Sequence, residues 1–324
     1  MKRTTKEWAV AVLLGVIFPG ILFSFLEKNS SLQPSDPSPT TSVTETTAVE
    51  QRSGEVLVMH SDGSVRGMPV ETYLCRVLLR EVPASFDEEA LKAQAVVART
   101  YALKRIRDVK KHGQEAVCTD ASCCQGYCTE EEFLLNGGTQ EDVEKIRAAV
   151  AATRNQVLLY NNELIEATYF SCSGGRTEDA MAVWGADIPY LQSVESPGEE
   201  MAAHYTDTVT FSSDHFAEKL GFSPAGNPET WIGEVTYTPG GGVETIQIGE
   251  REFEGTQLRG LLGLRSTSFV ISAVGDTVTI TTKGFGHRVG MSQYGAEAMA
   301  VSGKDYTQIL SYYYPGTELA SRPF

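Results

Sequence analysis

Residues 8–26, "WAVAVLLGVIFPGILFSFL", carry no charge, and Lys2, Arg3 and Lys6 precede them. About 20 apolar residues suffice to cross a bilayer, and basic residues ahead of such a span tend to stay in the cytoplasm. A cleaved signal peptide would be shorter and would end in a small-x-small site; none follows here. The expectation is an uncleaved single-pass anchor over residues 1–28, with the remainder outside the cytoplasm. Pro19 can kink such a span without ending it. Residues 29–53 are rich in Ser, Thr and Pro and nearly free of large apolar side chains. Such a segment cannot bury enough surface to offset its ordering entropy, so it reads as a disordered spacer. What folds must therefore lie in residues 54–324, a length that supports a real core.

The whole chain is 41% hydrophobic and 21% charged, with a formal net charge of −15 and a pI of about 4.8. A nucleic-acid binder needs a basic face to meet phosphates, and a domain lying on anionic lipid needs one too. Both classes are excluded. The folding part reads as α+β. A hairpin pattern around Ser61-Asp62-Gly63 opens it, helical patterns dominate the rest of the first half, and hairpin patterns follow around Asn161-Asn162, Gly240-Gly241-Gly242 and Gly275-Asp276. No internal repeat is present.

One helical stripe ends on an acid. Val70, Tyr73, Leu74, Val77 and Leu78 recur at helical spacing. At ~100° per residue Glu81 returns to within about 20° of Val70, on the apolar face. Pro83 disfavours continuing the helix. A carboxylate in a last helical turn meets the negative end of the macrodipole, and desolvation adds to that, so both favour the protonated form. A carboxylic acid kept neutral near pH 7 can serve as a general acid. The plainer alternative is that Glu81 snorkels to water or pairs with Arg80 or Arg99. The next helix is expected to open on a capping box of Ser85 and Glu88, and its stripe of Leu91, Ala95, Ala98 and Ala102 suits close helix packing.

Four of the six cysteines crowd into "CTDASCCQGYC", with His112 upstream. Disulfides are the ordinary use of cysteine in an exported chain. Adjacent Cys123 and Cys124 cannot easily bond each other, however, and several thiols with an imidazole also suit tetrahedral zinc. Spacing alone leaves both open. Further on, "CSGGRT" is a polar glycine-rich turn after a strand, a common place for binding residues. Trp184 could stack on a sugar or plug the core. "GFGHRVGMSQYGAEAMA" is a glycine-dense loop entering a helix, with His287 as its polar contact.

"EVPASFDEEALKAQAVVARTYA", "TYFSCSGGRT" and "GFGHRVGMSQYGA", in this order, resemble the stage II sporulation protein D family of peptidoglycan lytic transglycosylases. The anchor and spacer match that family's layout. The resemblance implies that Glu81, in the Glu-x-Pro turn, is catalytic. It implies that Ser171, Ser173, Gly174, Gly175 and Thr177 line a glycan groove, together with His287, Ser292, Gln293 and Tyr294 of the last motif. In that last motif Arg288 replaces a usual glycine. The family's loop reads Cys, four residues, His-Cys-Gln-x-Tyr; here Cys123 stands in place of the histidine. A structural zinc would then be held by His112, Cys118, Cys123 and Cys124.

The implied reaction cleaves the bond between N-acetylmuramic acid and N-acetylglucosamine without water. It leaves 1,6-anhydro-muramic ends and needs one carboxyl group rather than the hydrolase pair. The substrate implied is peptidoglycan glycan, free of peptide stems, and the setting is septal wall remodelling and engulfment in sporulation. The partners implied are an amidase and endopeptidase and a membrane scaffold protein, with no nucleic acid. Two rivals remain. One is a non-catalytic glycan-binding module that stimulates a cell-wall amidase. The other is a zinc metallohydrolase, although His-Glu-x-x-His is missing.

Overall fold

The computed structural model describes residues 54–109, 112 and 116–323; the expected anchor and spacer lie outside them. Among the described residues no helix is long and apolar enough to cross a membrane. Strands β1 (Glu55–Met59) and β2 (Val65–Pro69) form the expected antiparallel hairpin. Helix α1 (Val70–Glu81) follows at once and buries the expected stripe. Its end comes where Pro83 requires an extended residue before it: Val82 sits at φ −130°, ψ 148°.

Helix α2 (Glu88–Lys104) does not open on the expected Ser85–Glu88 box. Ser85 lies in a turn closed by the Phe86 N–H on the Pro83 carbonyl, which buries Phe86. The cap is Asp87, whose side chain accepts from the Glu89 N–H. The Asp87 N–H donates at 2.6 Å to the carboxylate of Glu297. A residue far along the chain thus does what a capping-box glutamate does from inside a helix.

Strand β3 (Ala116–Cys118) joins β1 in parallel, giving the order β2-β1-β3. Helices α3 (Glu130–Leu135) and α4 (Gln140–Ala152) both start on full capping boxes, Thr129–Glu132 and Thr139–Asp142. Strands β4 (Gln156–Tyr160) and β5 (Glu163–Leu164) turn at Asn161-Asn162. Both asparagines are left-handed, φ 49° and 64°, as the hairpin twist demands. The second strand is cut short: β6 (Tyr169–Phe170) leaves it. Helix α5 (Ala180–Trp184) is one short turn after the glycine-rich motif.

A second lobe follows: β7 (Thr206–Ser212), α6 (Ser213–Leu220), β8 (Ile232–Tyr237), β9 (Val243–Ile248), β10 (Arg251–Glu254), α7 (Gly255–Leu262), β11 (Phe269–Val274) and β12 (Thr277–Lys283). Two antiparallel sheets, β10-β9-β8 and β11-β12-β7, enclose a core of their own around Phe216, Trp231, Ile246, Leu258 and Ile280. The chain then returns to the first lobe. Strand β13 (Met291–Ser292) pairs in parallel with β6. Helices α8 (Gln293–Val301) and α9 (Tyr306–Tyr313) pack on α2. Strand β14 (Glu318–Ser321) closes the order β14-β4-β5.

The main core is built on α2, which touches α1, α4, α8 and α9. Ala95, Ala98 and Ala102 are fully buried, and their small size lets helices approach on several sides. Full burial of larger neighbours such as Leu78 and Leu91 contributes ~1.5–3 kcal/mol each. Arg99 is also buried here and donates to the Val150 and Gln156 carbonyls. It serves the C-terminal end of α4 rather than pairing with Glu81. The fold is mixed α and β with mostly antiparallel sheets, as expected. Helices are not confined to the first half, however, and two strand pairs are parallel.

Candidate active site

Glu81 is the last residue of α1. Its Oε1 accepts the Gly126 N–H. A side chain at Gly126 would place its Cβ 2.7 Å from Glu81 Oε1 and 2.7 Å from Arg80 Cγ, so only glycine permits this approach. Burial pushes the Glu81 pKa up; the Gly126 bond, the Arg80 charge and the Tyr169 hydroxyl oppose it. Among the described residues the charge acting on this acid is the Arg80 cation.

Gln125 and Gly126 come from the cysteine loop. His112 Nε2 and the sulfurs of Cys118, Cys123 and Cys124 all lie within 4.8 Å of one another. The imidazole is 3.4 Å from both Cys123 and Cys124, and those two sulfurs are 4.0 Å apart. Ligands of a tetrahedral zinc at ~2.3 Å from each sulfur stand ~3.8 Å apart, so this donor set fits that ion. None of the six cysteines is in a disulfide. Hydrogen bonding from Cys124 brings the Cys118 thiol down to about 5. Cys128 lies outside the cluster, its Sγ on the Thr129 carbonyl at 3.4 Å.

The residues expected to line the groove divide in two. Ser173, Thr177 and Ser292 are fully buried, their hydroxyls used internally. Ser173 and Ser292 donate to Glu199, and Thr177 accepts from the Val194 N–H. Glu199, itself buried, also collects the N–H groups of Ser173, Gly174 and Gly175. Gly174 and Gly175 need φ of 80° and 114° to aim those amides. The serine-glycine motif thus wraps an internal carboxylate and forms the wall behind a surface. Gln293 is buried beside it, and its amide nitrogen has no partner.

Ser171, His287 and Tyr294 are half-buried. Phe170, next to Tyr169, has its ring centroid 5.6 Å from His287, and Trp184 stands 5.5 Å from the same imidazole. Tyr294 meets Phe86 edge-on at 5.0 Å. Phe170 and Phe86 are themselves buried, so Trp184, His287 and Tyr294 are the rings here that keep surface on which a sugar could stack. Burial and the Arg259 charge push His287 down to about 4, so it is neutral at pH 7.

Several residues here carry no short-range sequence signal. Glu199 lies in an ordinary acidic loop. Glu178 binds Arg288 Nη1 at 3.0 Å, with 0% and 2% of the two side chains exposed. Arg288 stands at φ 67°, the left-handed conformation the usual glycine would take. It also donates to the carbonyls of Ser173, Arg176 and Gly240. The one available signal was the substitution itself, a large cation where backbone shape favours glycine.

The fold sets one desolvated glutamate against a loop that carries a thiol–imidazole cluster, a single-acid site of a kind that the relatives place in a class. The comparisons with known proteins agree. The family model described as stage II sporulation protein matches residues 59–160, which contain Glu81 and the cysteine loop. Stage II sporulation protein D of Bacillus subtilis (strain 168) is 42% identical over 79% of this chain and 76% of its own length. That of Bacillus amyloliquefaciens is 41% identical over 80% and 76%. An amidase enhancer of Bacillus subtilis (strain 168) is 31% identical over 76% of this chain and 40% of its own. This chain belongs to the stage II sporulation protein D family.

Proposed function

We propose that this chain is a lytic transglycosylase that cleaves the bond between N-acetylmuramic acid and N-acetylglucosamine in peptidoglycan. The observation that carries this reading is the desolvated Glu81, which accepts the Gly126 N–H and, among the described residues, has the Arg80 cation rather than a second carboxylate acting on it. A hydrolase needs a pair of carboxyl groups on either side of the scissile bond. A single carboxyl suffices when the second nucleophile belongs to the sugar. Protonated Glu81 gives its proton to the leaving glycosidic oxygen as the C1–O bond breaks. The resulting carboxylate takes the proton of the muramoyl 6-hydroxyl, whose oxygen bonds to C1. The product ends in 1,6-anhydro-muramic acid, and Glu81 is protonated again.

His112, Cys118, Cys123 and Cys124 would hold one zinc ion. Four protein donors close a tetrahedron, so the ion would be structural rather than catalytic. Residues 8–26 would anchor the chain in the cell membrane, with the glycan-cleaving part outside. The substrate would be glycan freed of its peptide stems. An amidase and endopeptidase that expose such strands, together with a membrane scaffold protein, would be the partners during engulfment.

A second reading has support in the likeness to an amidase enhancer: a glycan-binding module that stimulates an amidase and cleaves nothing itself. Mass analysis of products from purified peptide-free glycan separates the two. The expected result is anhydro-muramic ends, falling at least ~10²-fold in Glu81→Gln, the scale of general acid–base catalysis. Intact strands with the native chain, or undiminished products with the variant, would remove Glu81 from this role.

A further inference from the structure

Arg80 stands immediately before the acid and takes no part in the chemistry above. It lies in the last turn of α1, and its side chain is exposed. Other cations on and beside this helix are engaged. Arg76, one turn earlier, donates to the Tyr127 hydroxyl at 2.6 Å. Arg147 pairs with Glu130, and Arg154 with Glu71. Among the described residues the Arg80 guanidinium makes no hydrogen bond and no ion pair.

The stem of this arginine is held beside Glu81 by Gly126. A Cβ on that glycine would stand 2.7 Å from Arg80 Cγ and 2.7 Å from Glu81 Oε1. The two atoms are therefore no farther apart than twice that distance, and the guanidinium swings from a point next to the acid. A cation in a last helical turn also meets the negative end of the macrodipole, but that role makes no distinction between ligands. A chain of net charge −15 repels an anionic strand within a screening length. An unpaired, exposed cation beside the acid is where such a strand can be held.

The glycan supplies one group for that cation. N-acetylmuramic acid carries a lactyl ether on C3, separated from the reacting C1 by C2 alone. With a peptide stem attached, the lactyl group ends in a neutral amide. Once the stem has been hydrolysed away, it ends in a carboxylate. N-acetylglucosamine has neither. A guanidinium offers a carboxylate two parallel N–H donors and holds it more strongly than it holds an amide oxygen. We propose that Arg80 binds the lactyl carboxylate of the N-acetylmuramic acid whose C1 reacts at Glu81, and so selects strands freed of their stems. The proposal rests on the glycan-cleaving reading and names the residue that gives that reading its substrate preference. Neighbouring side chains then hold the carboxylate and meet the leaving oxygen, so the contact orients the reacting ring as well as choosing it.

The test is binding by the full chain carrying Glu81→Gln, which cannot cut, with Arg80 kept or changed by Arg80→Gln or Arg80→Lys. The probes are glycan strands freed of stems by an amidase, the same strands with their lactyl carboxylates capped as methylamides, and a chitin oligosaccharide. With Arg80 kept, free strands should bind roughly ten-fold more tightly than capped ones, the lower end for a hydrogen bond to a charged group. Arg80→Gln should abolish that difference and leave the capped strands and chitin bound as before. Arg80→Lys keeps the charge without the fork and should retain part of the preference. With Glu81 intact, kcat/KM for release of anhydro ends should show the same preference and the same loss. Equal binding of free and capped strands with Arg80 kept would overturn the proposal. So would an Arg80→Gln chain that weakens on every probe by the same factor, which is what loss of a helix-end cation alone would give. Free strands that are preferred through Arg80 but never cut to anhydro ends count against the reaction and not against Arg80. Free and capped strands cut equally well count against Arg80 and not against the reaction. No binding to any probe would overturn both.

Discussion

His287 shows how a single side chain ties the site to pH. Its ring is wedged between Phe170 and Trp184, and Val289 N–H donates to its Nδ1 at 3.2 Å, which needs the unprotonated nitrogen. In the folded chain it titrates near about 4, against 6.5 for the ordinary group. Between these values the unfolded chain binds the extra proton and the folded chain does not. Stability should therefore be whole at pH 7 and decline as pH falls from about 6.5 toward 4. His287→Gln cannot take that proton. Denaturant melts of the two proteins should differ most at neutral pH and converge on acidification; a constant difference would remove the linkage. At this scale the sequence was legible where chemistry and periodicity coincided. Glu81 stood out because an acid continued an apolar stripe. Glu199 and Glu178 did not, because a buried carboxylate is defined by the amides and cations that fold onto it, and these come from separate loops. The polar groups of the Ser171–Thr177 motif were easy to see. That two of its hydroxyls face inward was not, since burial there depends on Glu199 and Val194.

Elements with a local cause could be read, and those with a distant one could not. Helix α1 runs over the stripe and stops at the proline turn, and the Asn161-Asn162 turn falls where expected. The start of α2 and the fate of β6 depend on Glu297 and on Met291–Ser292, more than a hundred residues away. The cysteine loop has both kinds of cause. Its donors are adjacent in sequence, but its bearing on Glu81 passes through Gln125 and Gly126. The loop buries few large apolar side chains of its own, so a bound zinc would contribute directly to its stability. Chelation of the metal should lower the melting temperature and loosen Gly126. Activity should fall with it, because the Glu81 carboxyl then loses its backbone donor. Cys118→Ser and Cys124→Ser should each abolish metal binding, whereas Cys75→Ser and Cys172→Ser should leave one zinc per chain. Elemental analysis of the purified proteins decides this. Native protein that holds no zinc would remove the metal and leave the glycan-cleaving reading intact.

Across the whole molecule, the two larger hydrophobic cores have to be held to each other. The first holds α1, α2, α4, α8 and α9, and the second is enclosed by the sheets of residues 206–283. Glu178 and Arg288 join them. From the first lobe Glu178 accepts from Arg288, and from the loop between β8 and β9 it accepts from Thr238 Oγ1 and the Gly242 N–H. Arg288 donates back to the Gly240 carbonyl. Two opposing terms meet at Arg288. Its left-handed backbone, φ 67°, costs about 1 kcal/mol relative to glycine. Its removal would leave the Glu178 carboxylate buried without its cation, at about 3–5 kcal/mol. The second term is larger. Arg288→Gly should therefore destabilise the protein by about 2–4 kcal/mol, although it restores the residue usual at this place and relieves the backbone. Adding Glu178→Gln should recover part of the loss, because the uncompensated charge is then gone while Thr238 and Gly242 keep an acceptor. Calorimetry of Arg288→Gly should also show the second core melting ahead of the first. If the variant is as stable as the native chain, or the two cores still melt together with no loss, the ion pair is not what binds the lobes to each other.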